Sequence, residues 1–315
     1  MISTRRLGPD ADGIAQAAAL LGAGQLVALP TETVYGLAAD ATDPGAVVAI
    51  YAAKGRPAHN PLIVHLPDAA AADRLAVLDA TGQRLAQAFW PGPLTLVAPL
   101  RNGHGLAPAV TAGLGTVALR VPAHPVAQAV LAAVGRPLAA PSANPSGRIS
   151  PVTAGHVLSG LDGRIAAVLD AGPCAVGLES TIVGLAPLRL LRAGGLPVEE
   201  IEAALGGPLA VASGKLEAPG MLASHYAPRG RLRLAVTAPA QGEVWIGFGP
   251  DAAGDPGLNL SPRGDLTEAA ARLFHALHEA DARAGPGGCI AVAPIPDDGP
   301  GCAINDRLSR AAAPR

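Results

Sequence analysis

Paired cysteines are missing from this 315-residue chain. Its three, Cys174, Cys289 and Cys302, lie far apart with no CxxC pair, which argues against a disulfide framework and against a zinc site. Buried, reduced thiols are the expected state. Aromatic residues make up only 3% of the chain. No run of about 18 apolar residues escapes interruption by glycine, proline or a polar group, so a transmembrane helix is not expected. The start MISTRRLGPDADG has two arginines but no apolar stretch behind them, so it does not read as a secretory signal and the cytosol is the expected location. Charge of one sign is lacking too. With a formal net charge of −2, a broad basic face for stable nucleic-acid binding is not expected, though local cations can still hold a small anion. The common nucleotide and hydrolase signatures are absent: there is no GxxxxGKS/T, no GxGxxG after a strand, no GxSxG and no HExxH.

What is present is a core former, with half the residues apolar and a length that suits one large domain or two smaller ones. Helical and extended patterns alternate, as an α/β fold requires. Asp10 or Asp12 can cap a helix IAQAAALL, and QLVALP follows as a strand. Asp43 as N-cap, Pro44 at the first helical position and Gly55 as C-cap frame PGAVVAIYAAK, after which PLIVHL reads as a strand. Further strands are expected at PLTLVAP, TVALRVP, PLAA, AAVLDAG, STIVGL and LRLLR, and helices at TGQRLAQAFW, HPVAQAVLAAV and VEEIEAALGG. Residues 1–207 are thus read as one α/β domain. Residues 208–229 have no sustained period and several Gly and Pro, and are read as a linker with Gly214, Pro219 and Gly220 as candidate hinges. A smaller α/β unit spans 230–315. Its strands are RLRLAV, EVWIGF and CIAVAPI, its amphipathic helix carries Leu266, Ala270, Leu273 and Leu277, a second helix lies near INDRLSRAA, and the stretch 250–264 reads as a loop.

Polar clusters interrupt the apolar strands: PTETVYGL, KGRPAHNPLIVH, TVALR, PSANPSGRIS and ESTIV. Lys54 and Arg56 are the only charged side chains between Asp43 and Asp68, which leaves two cations without an acidic neighbour in sequence. Each cluster has an ordinary reading of its own. Cations at a helix exit suit its dipole, Thr hydroxyls and a PSANPSG run suit turns, His65 fits a core histidine, and Arg120 fits a buried arginine with Glu179 as a candidate partner. Five such clusters together point instead to a ligand site, and open α/β sheets bind ligands where loops converge at strand ends.

As a set, PTETVYGL, the KxR of Lys54 and Arg56, NPLIVH, FWPGPLTL, the SxN of Ser142 and Asn144, LESTI, LLRAG and APGMLASHYAP resemble the YrdC family in its longer, two-domain form, the threonylcarbamoyl-AMP synthases. The resemblance implies a twisted, open mixed sheet with helices, followed by a linker and a smaller Rossmann-like domain. It implies synthesis of threonylcarbamoyl-AMP and pyrophosphate from L-threonine, bicarbonate or CO2, and ATP with its Mg²⁺, and delivery of the product to a transferase that modifies tRNA. Carried onto this sequence, the threonine pocket comprises Thr33, His65, Arg120, the Ala140 backbone and Ser180. The ATP site comprises Lys54, Arg56, Asn60, Thr116, Ser142, Asn144, Ser150 and Arg192, and His225 and Tyr226 belong to a lid. Ala218, Leu222, Ala223 and Ser224 depart from the family's usual linker. Two other readings stay open: an RNA-binding module, and a carbamoyl-transfer domain of the hydrogenase-maturation type, whose paired CxxC motifs and acylphosphatase-like segment are absent here.

Overall fold

The computed structural model describes residues 3–211, 224–250 and 258–314. Gly214, Pro219, Gly220, Ala218, Leu222 and Ala223 lie outside the described residues, as do 251–257 of the expected 250–264 loop. Ten strands form the main sheet: β1 (Arg5–Leu7), β2 (Val27–Leu29), β3 (Gly36–Asp40), β4 (Ile63–His65), β5 (Leu94–Pro99), β6 (Thr116–Arg120), β7 (Leu138–Ala139), β8 (Ala167–Leu169), β9 (Thr181–Leu185) and β10 (Leu188–Arg192). Their spatial order is β1-β8-β2-β3-β7-β4-β6-β5-β9-β10, with parallel pairs such as β4–β6 and β5–β9 beside antiparallel ones such as β5–β6 and β9–β10.

Alternation along the strands separates two layers. Val27 and Leu29 of β2, Ala38 of β3, and Ala167 and Leu169 of β8 pack on one side, while Ala28, Leu37, Ala39 and Val168 pack on the other. The first side is covered by α1 (Ala11–Gly22) and α5 (Pro125–Val134), which supply Ala17, Leu21, Val130 and Leu131. On the second side lies α2 (Pro44–Lys54), started by Asp43, whose carboxylate accepts from the Gly45 and Ala46 amides, and ended by Gly55 at φ 60°. The remaining helices of this unit are α3 (Ala69–Ala72), α4 (Ala80–Phe89), α6 (Ala154–Leu161) and α7 (Val198–Leu205). Strand β1, strand β3 and helix α6 carry no clear pattern in the sequence. The first is three residues long, the second is buried on both faces and so does not alternate, and the third is two turns starting at a Thr153 cap.

Residues 231–312 form a second, three-stranded parallel sheet in the order β11 (Arg231–Arg233), β13 (Cys289–Val292), β12 (Val244–Ile246), covered by α8 (Leu266–Ala284) and α9 (Pro300–Ala312). The helix expected near residue 304 begins earlier, at Pro300. The two units are in intimate contact. A Cβ on Gly177, which has φ 74°, would stand 2.5 Å from the Ala271 backbone, so α8 lies directly on the loop ahead of β9. Among the described residues no helix is long and apolar enough to cross a membrane.

Candidate active site

The cleft sits on one face of the main sheet. Ile63 and His65, two apart on β4, point the same way, and the parallel register sets Ile63 beside Ala118 and His65 beside Arg120. The groove lies where strand ends and loops converge: His65 closes β4, Arg120 closes β6, Arg192 closes β10, Ala140 to Ser142 follow β7, and Glu179 and Ser180 precede β9.

One end of the groove is built around Arg120. Its Nε donates to the Gly92 carbonyl at 3.2 Å, Nη1 to Thr33 Oγ1 at 2.9 Å and Nη2 to Glu32 Oε1 at 2.6 Å. Two of the five guanidinium N–H donors are left for a ligand. Thr33 Oγ1 lies 2.8 Å from Thr31 Oγ1, and Ser180 Oγ lies 2.7 Å from Thr95 Oγ1, so both hydroxyls are oriented by a neighbour. Burial, reinforced by the charge of Arg120, pushes the His65 imidazole well below its usual range and keeps it neutral. Ala140, whose amide donates to the Ile63 carbonyl at 2.9 Å, presents backbone and a small methyl between these groups.

The cations occupy the other end. Lys54 closes α2, Gly55 reverses the chain, and Arg56 follows. Lys54 Nζ donates to the carbonyls of Ser142 and Asn144, each at 2.5 Å. Arg56 donates to the Asn60 carbonyl at 3.1 Å, to Asn60 Oδ1 at 2.7 Å and to the Pro61 carbonyl at 2.7 Å. Every acceptor is neutral. Burial therefore draws the Arg56 guanidinium down to about 10, and burial together with the Arg56 charge draws Lys54 well below its usual range.

A roof comes from the segment before β11. His225 and Tyr226 are buried, 7% and 1% exposed, with the His225 amide donating to the Arg310 carbonyl at 3.2 Å and the Ala227 amide to the Gly147 carbonyl at 2.8 Å. Tyr226 holds φ at 62°, a left-handed conformation that a tyrosine adopts at a cost of about 1–3 kcal/mol. Burial pushes His225 down to about 3, so it too is neutral. Arg192 donates to the Ser180 carbonyl at 2.8 Å. Glu179 accepts from Ser150 Oγ at 2.5 Å and from Arg307 at 2.8 Å. Burial alone would raise its carboxyl, but Arg307, Arg192 and Ser150 outweigh that and hold it below the usual carboxylate range.

Ten of the fifteen residues expected from sequence line the groove: Thr33, His65, Arg120, Ala140, Ser180, Arg56, Ser142, Arg192, His225 and Tyr226. Lys54, Asn60, Asn144 and Ser150 stand one layer behind the wall, buttressing Ser142, Arg56 and Glu179. Thr116 shares the face of Arg120 but lies four residues earlier on β6, about 13 Å away, toward the Arg56 end. Glu179 is not the partner of Arg120; Glu32 is, and Glu179 pairs with Arg307 across 128 positions. Sequence reasoning missed both: Glu32 is visible only as the one acid of the PTETVYGL cluster, and nothing local marks Arg307. Five buried polar atoms here have no partner among the described residues: Glu32 Oε2, Asn60 Nδ2, Asn144 Oδ1, His225 Nδ1 and Tyr226 Oη. Such a concentration of unmet hydrogen bonds is abnormal in a core and normal in a site that a ligand completes.

The site and sheet define an anion-binding α/β domain roofed by a segment that a second α/β unit holds in place. A family model for Sua5, YciO and YrdC proteins, described as telomere recombination, matches residues 19–194, and one described as the threonylcarbamoyl-AMP synthase C-terminal domain matches 196–313. The chain is 43% identical to the threonylcarbamoyl-AMP synthase of Bacillus subtilis over 96% of its own length and 93% of the relative's. It is 46% identical to that of Pyrococcus abyssi over 67% of this chain and 64% of the other. The crystal structure of P. abyssi Sua5 complexed with L-threonine superposes with a TM-score of 0.87 at 36% identity, covering 98% of this chain and 97% of that one. This chain belongs to the Sua5–YrdC family, in its two-domain form.

Proposed function

We propose that this protein is an L-threonylcarbamoyladenylate synthase that converts L-threonine, bicarbonate or CO2, and ATP into threonylcarbamoyl-AMP and pyrophosphate. The observation that carries the reading is the polarity of the groove. One end offers a guanidinium fork and oriented hydroxyls, as an amino acid with a carboxylate and a β-hydroxyl requires. The other holds cations whose acceptors are all neutral, as a polyphosphate requires. In the reaction the threonine amine captures CO2 as a carbamate, and a carbamate oxygen attacks the α-phosphorus of ATP, expelling pyrophosphate and forming a mixed anhydride. This is nucleotidyl transfer with no covalent enzyme intermediate.

Arg120 would orient the threonine carboxylate, neutral His65 with Thr33 and Ser180 would hold its polar groups, and Arg56 and Arg192 would offset charge gathering on the phosphates. Mg²⁺ would enter bound to ATP, as part of the substrate. The reaction suits the cytoplasm, and its consumer would be a transferase acting on tRNA. A formal charge of −2 and the absence of CxxC pairs give the RNA-binding and carbamoyl-transfer alternatives no comparable support. Incubating the protein with Mg-ATP, labelled bicarbonate and single amino acids tests the reading. Threonine-dependent release of pyrophosphate with label in an adenylate is expected, and release independent of threonine would overturn it.

A further inference from the structure

Arg307 belongs to α9 of the C-terminal unit, yet its side chain is wholly enclosed, the largest fully buried one among the described residues. It reaches out of its own domain. Nε donates to Glu179 Oε2 at 2.8 Å, Nη2 to the Ala193 carbonyl at 2.8 Å and Nη1 to Asp306 Oδ2 at 2.6 Å, and the guanidinium carbon stands 5.2 Å from the centre of the Tyr226 ring. Three parts of the cleft therefore meet at one side chain: the corner before β9, the end of β10 and the roof. A second contact lies three residues along the same helix, where Arg310 O accepts from the His225 amide.

A core arginine that merely fills space would contact whatever lies nearest. Arg307 instead takes one oxygen of the Glu179 carboxylate while Ser150 takes the other, which fixes where a cleft-lining acid points. The backbone there is equally constrained, since a Cβ on Gly194 would meet the Glu179 carbonyl at 2.3 Å. On the roof, Tyr226 is held in a strained conformation with its ring toward this guanidinium, a cation–π arrangement strengthened by exclusion of water. Removing one member of such a buried set strands the others.

We infer that Arg307 is a positioning residue through which the C-terminal unit shapes the cleft of the N-terminal one, fixing Glu179 and seating Tyr226. A second domain is then part of the site although none of its described side chains lines the groove. The kinetic part of the test rests on the proposed synthase reaction; the structural part does not.

The test compares full-length wild type with Arg307→Met and Arg307→Lys, using amide hydrogen exchange of peptides covering 224–228, 176–182, α8 and α9, and pyrophosphate release with ATP and threonine varied separately. For Arg307→Met, exchange should quicken at 224–228 and 176–182 while α8 keeps its protection. The KM for ATP should rise about 10- to 100-fold, the scale of a lost charge-assisted hydrogen bond, with the KM for threonine much less affected, and lysine should restore part of both. Unchanged exchange at 224–228, or protection lost evenly over α8 and α9, would make Arg307 an ordinary core residue. Should Arg307→Met not fold, Glu179→Gln decides, since weakening the pair from the other side must also quicken exchange at 224–228; no change there overturns the inference. If wild type itself shows no threonine-dependent release, the synthase reading fails and the exchange data alone judge Arg307.

Discussion

Arg120 and Arg307 are buried cations paired with carboxylates, Glu32 at 2.6 Å and Glu179 at 2.8 Å; Lys54 and Arg56 are buried cations whose acceptors among the described residues are neutral oxygens. Both arrangements satisfy the donors, but they leave different fields. A carboxylate cancels the charge, so its arginine serves as a shaped fork. Neutral dipoles leave a full positive charge in a poorly solvated place, where its attraction for a polyanion is several times stronger than in water. The downward displacement of Lys54 and Arg56 expresses the same strain, which a bound phosphate would relieve. One end of the groove is therefore specific by geometry and the other is attractive by charge.

The largest effect is expected from deleting an uncancelled charge. Arg56→Met should lower pyrophosphate release by about 100-fold or more, because a charge-assisted phosphate contact in a partly dry site contributes roughly 2–4 kcal/mol to the transition state. Threonine binding by calorimetry should persist. Loss of threonine binding together with catalysis would show that the two ends are not separate.

Converting one type of cation into the other comes next. Asn60→Asp is nearly isosteric and places a carboxylate where Asn60 Oδ1 now accepts from Arg56 at 2.7 Å, which makes Arg56 resemble Arg120. ATP affinity should fall about 10-fold or more, while the new pair steadies the fold against urea. Tighter ATP binding in Asn60→Asp would sink the distinction between cancelled and uncancelled cations.

How far the sequence reveals this design depends on the range over which each interaction acts. The cap at Asp43, the proline at 44 and the left-handed Gly55 are local, so the helix that delivers Lys54 and Arg56 is readable from eleven letters. The acid-free neighbourhood of those cations is readable too. The pairing of Arg120 with Glu32 joins positions 88 apart, and that of Arg307 with Glu179 joins positions 128 apart, so neither has a local signal. The interleaved strand order hides in the same way, since β7 lies between β3 and β4 in space but far from both in sequence. Lys54 shows the limit of a correct motif. Its neighbourhood was legible, but the sequence cannot say that the ammonium turns under the Ser142–Asn144 loop and supports the wall from behind.

A smaller effect should follow from loosening the paired type. Glu32→Gln keeps an acceptor for Arg120 but removes the cancelling charge, so stability should fall by about 1–3 kcal/mol. Threonine affinity should hold or rise, since the freed guanidinium meets the substrate carboxylate alone. A marked drop in threonine affinity, read by calorimetry, would mean that Glu32 takes part in binding and is more than a counter-charge.

The smallest effect separates two seams between the domains by pH. At one seam Glu179 meets Arg307; at the other, within a cavity of about 580 Å³, His156 of α6 stacks on His278 of α8 with ring centres 3.9 Å apart, and His278 Nε2 contacts the Ser150 carbonyl at 3.1 Å. His275, Arg148, Arg229, Glu279 and Asp281 also line that cavity. Burial, then the neighbouring imidazoles, pushes His156 down to about 3; burial, partly opposed by Ser150 and Asp281, pushes His278 down to about 4. Both folded values lie below the ordinary 6.5, so the folded state binds fewer protons than the unfolded one, and this stability is fully present above pH 6.5 and lost as pH falls toward 4. Glu179 is also lowered, but from 4.5, so its contribution persists until the pH drops below that value. Acidification from pH 7 to 5 should therefore loosen the histidine seam and spare the carboxylate one. The loss should be about 1 kcal/mol once solvent screening of a half-buried pair is allowed for, and His156→Phe, which keeps a ring in the stack, should flatten it. Thermal unfolding across that range, with hydrogen exchange of α6 and of 224–228 followed together, reads both seams in one experiment. Equal loosening of the two above pH 5 would mean that the charged seam depends on the histidines, and that the domains part as one unit.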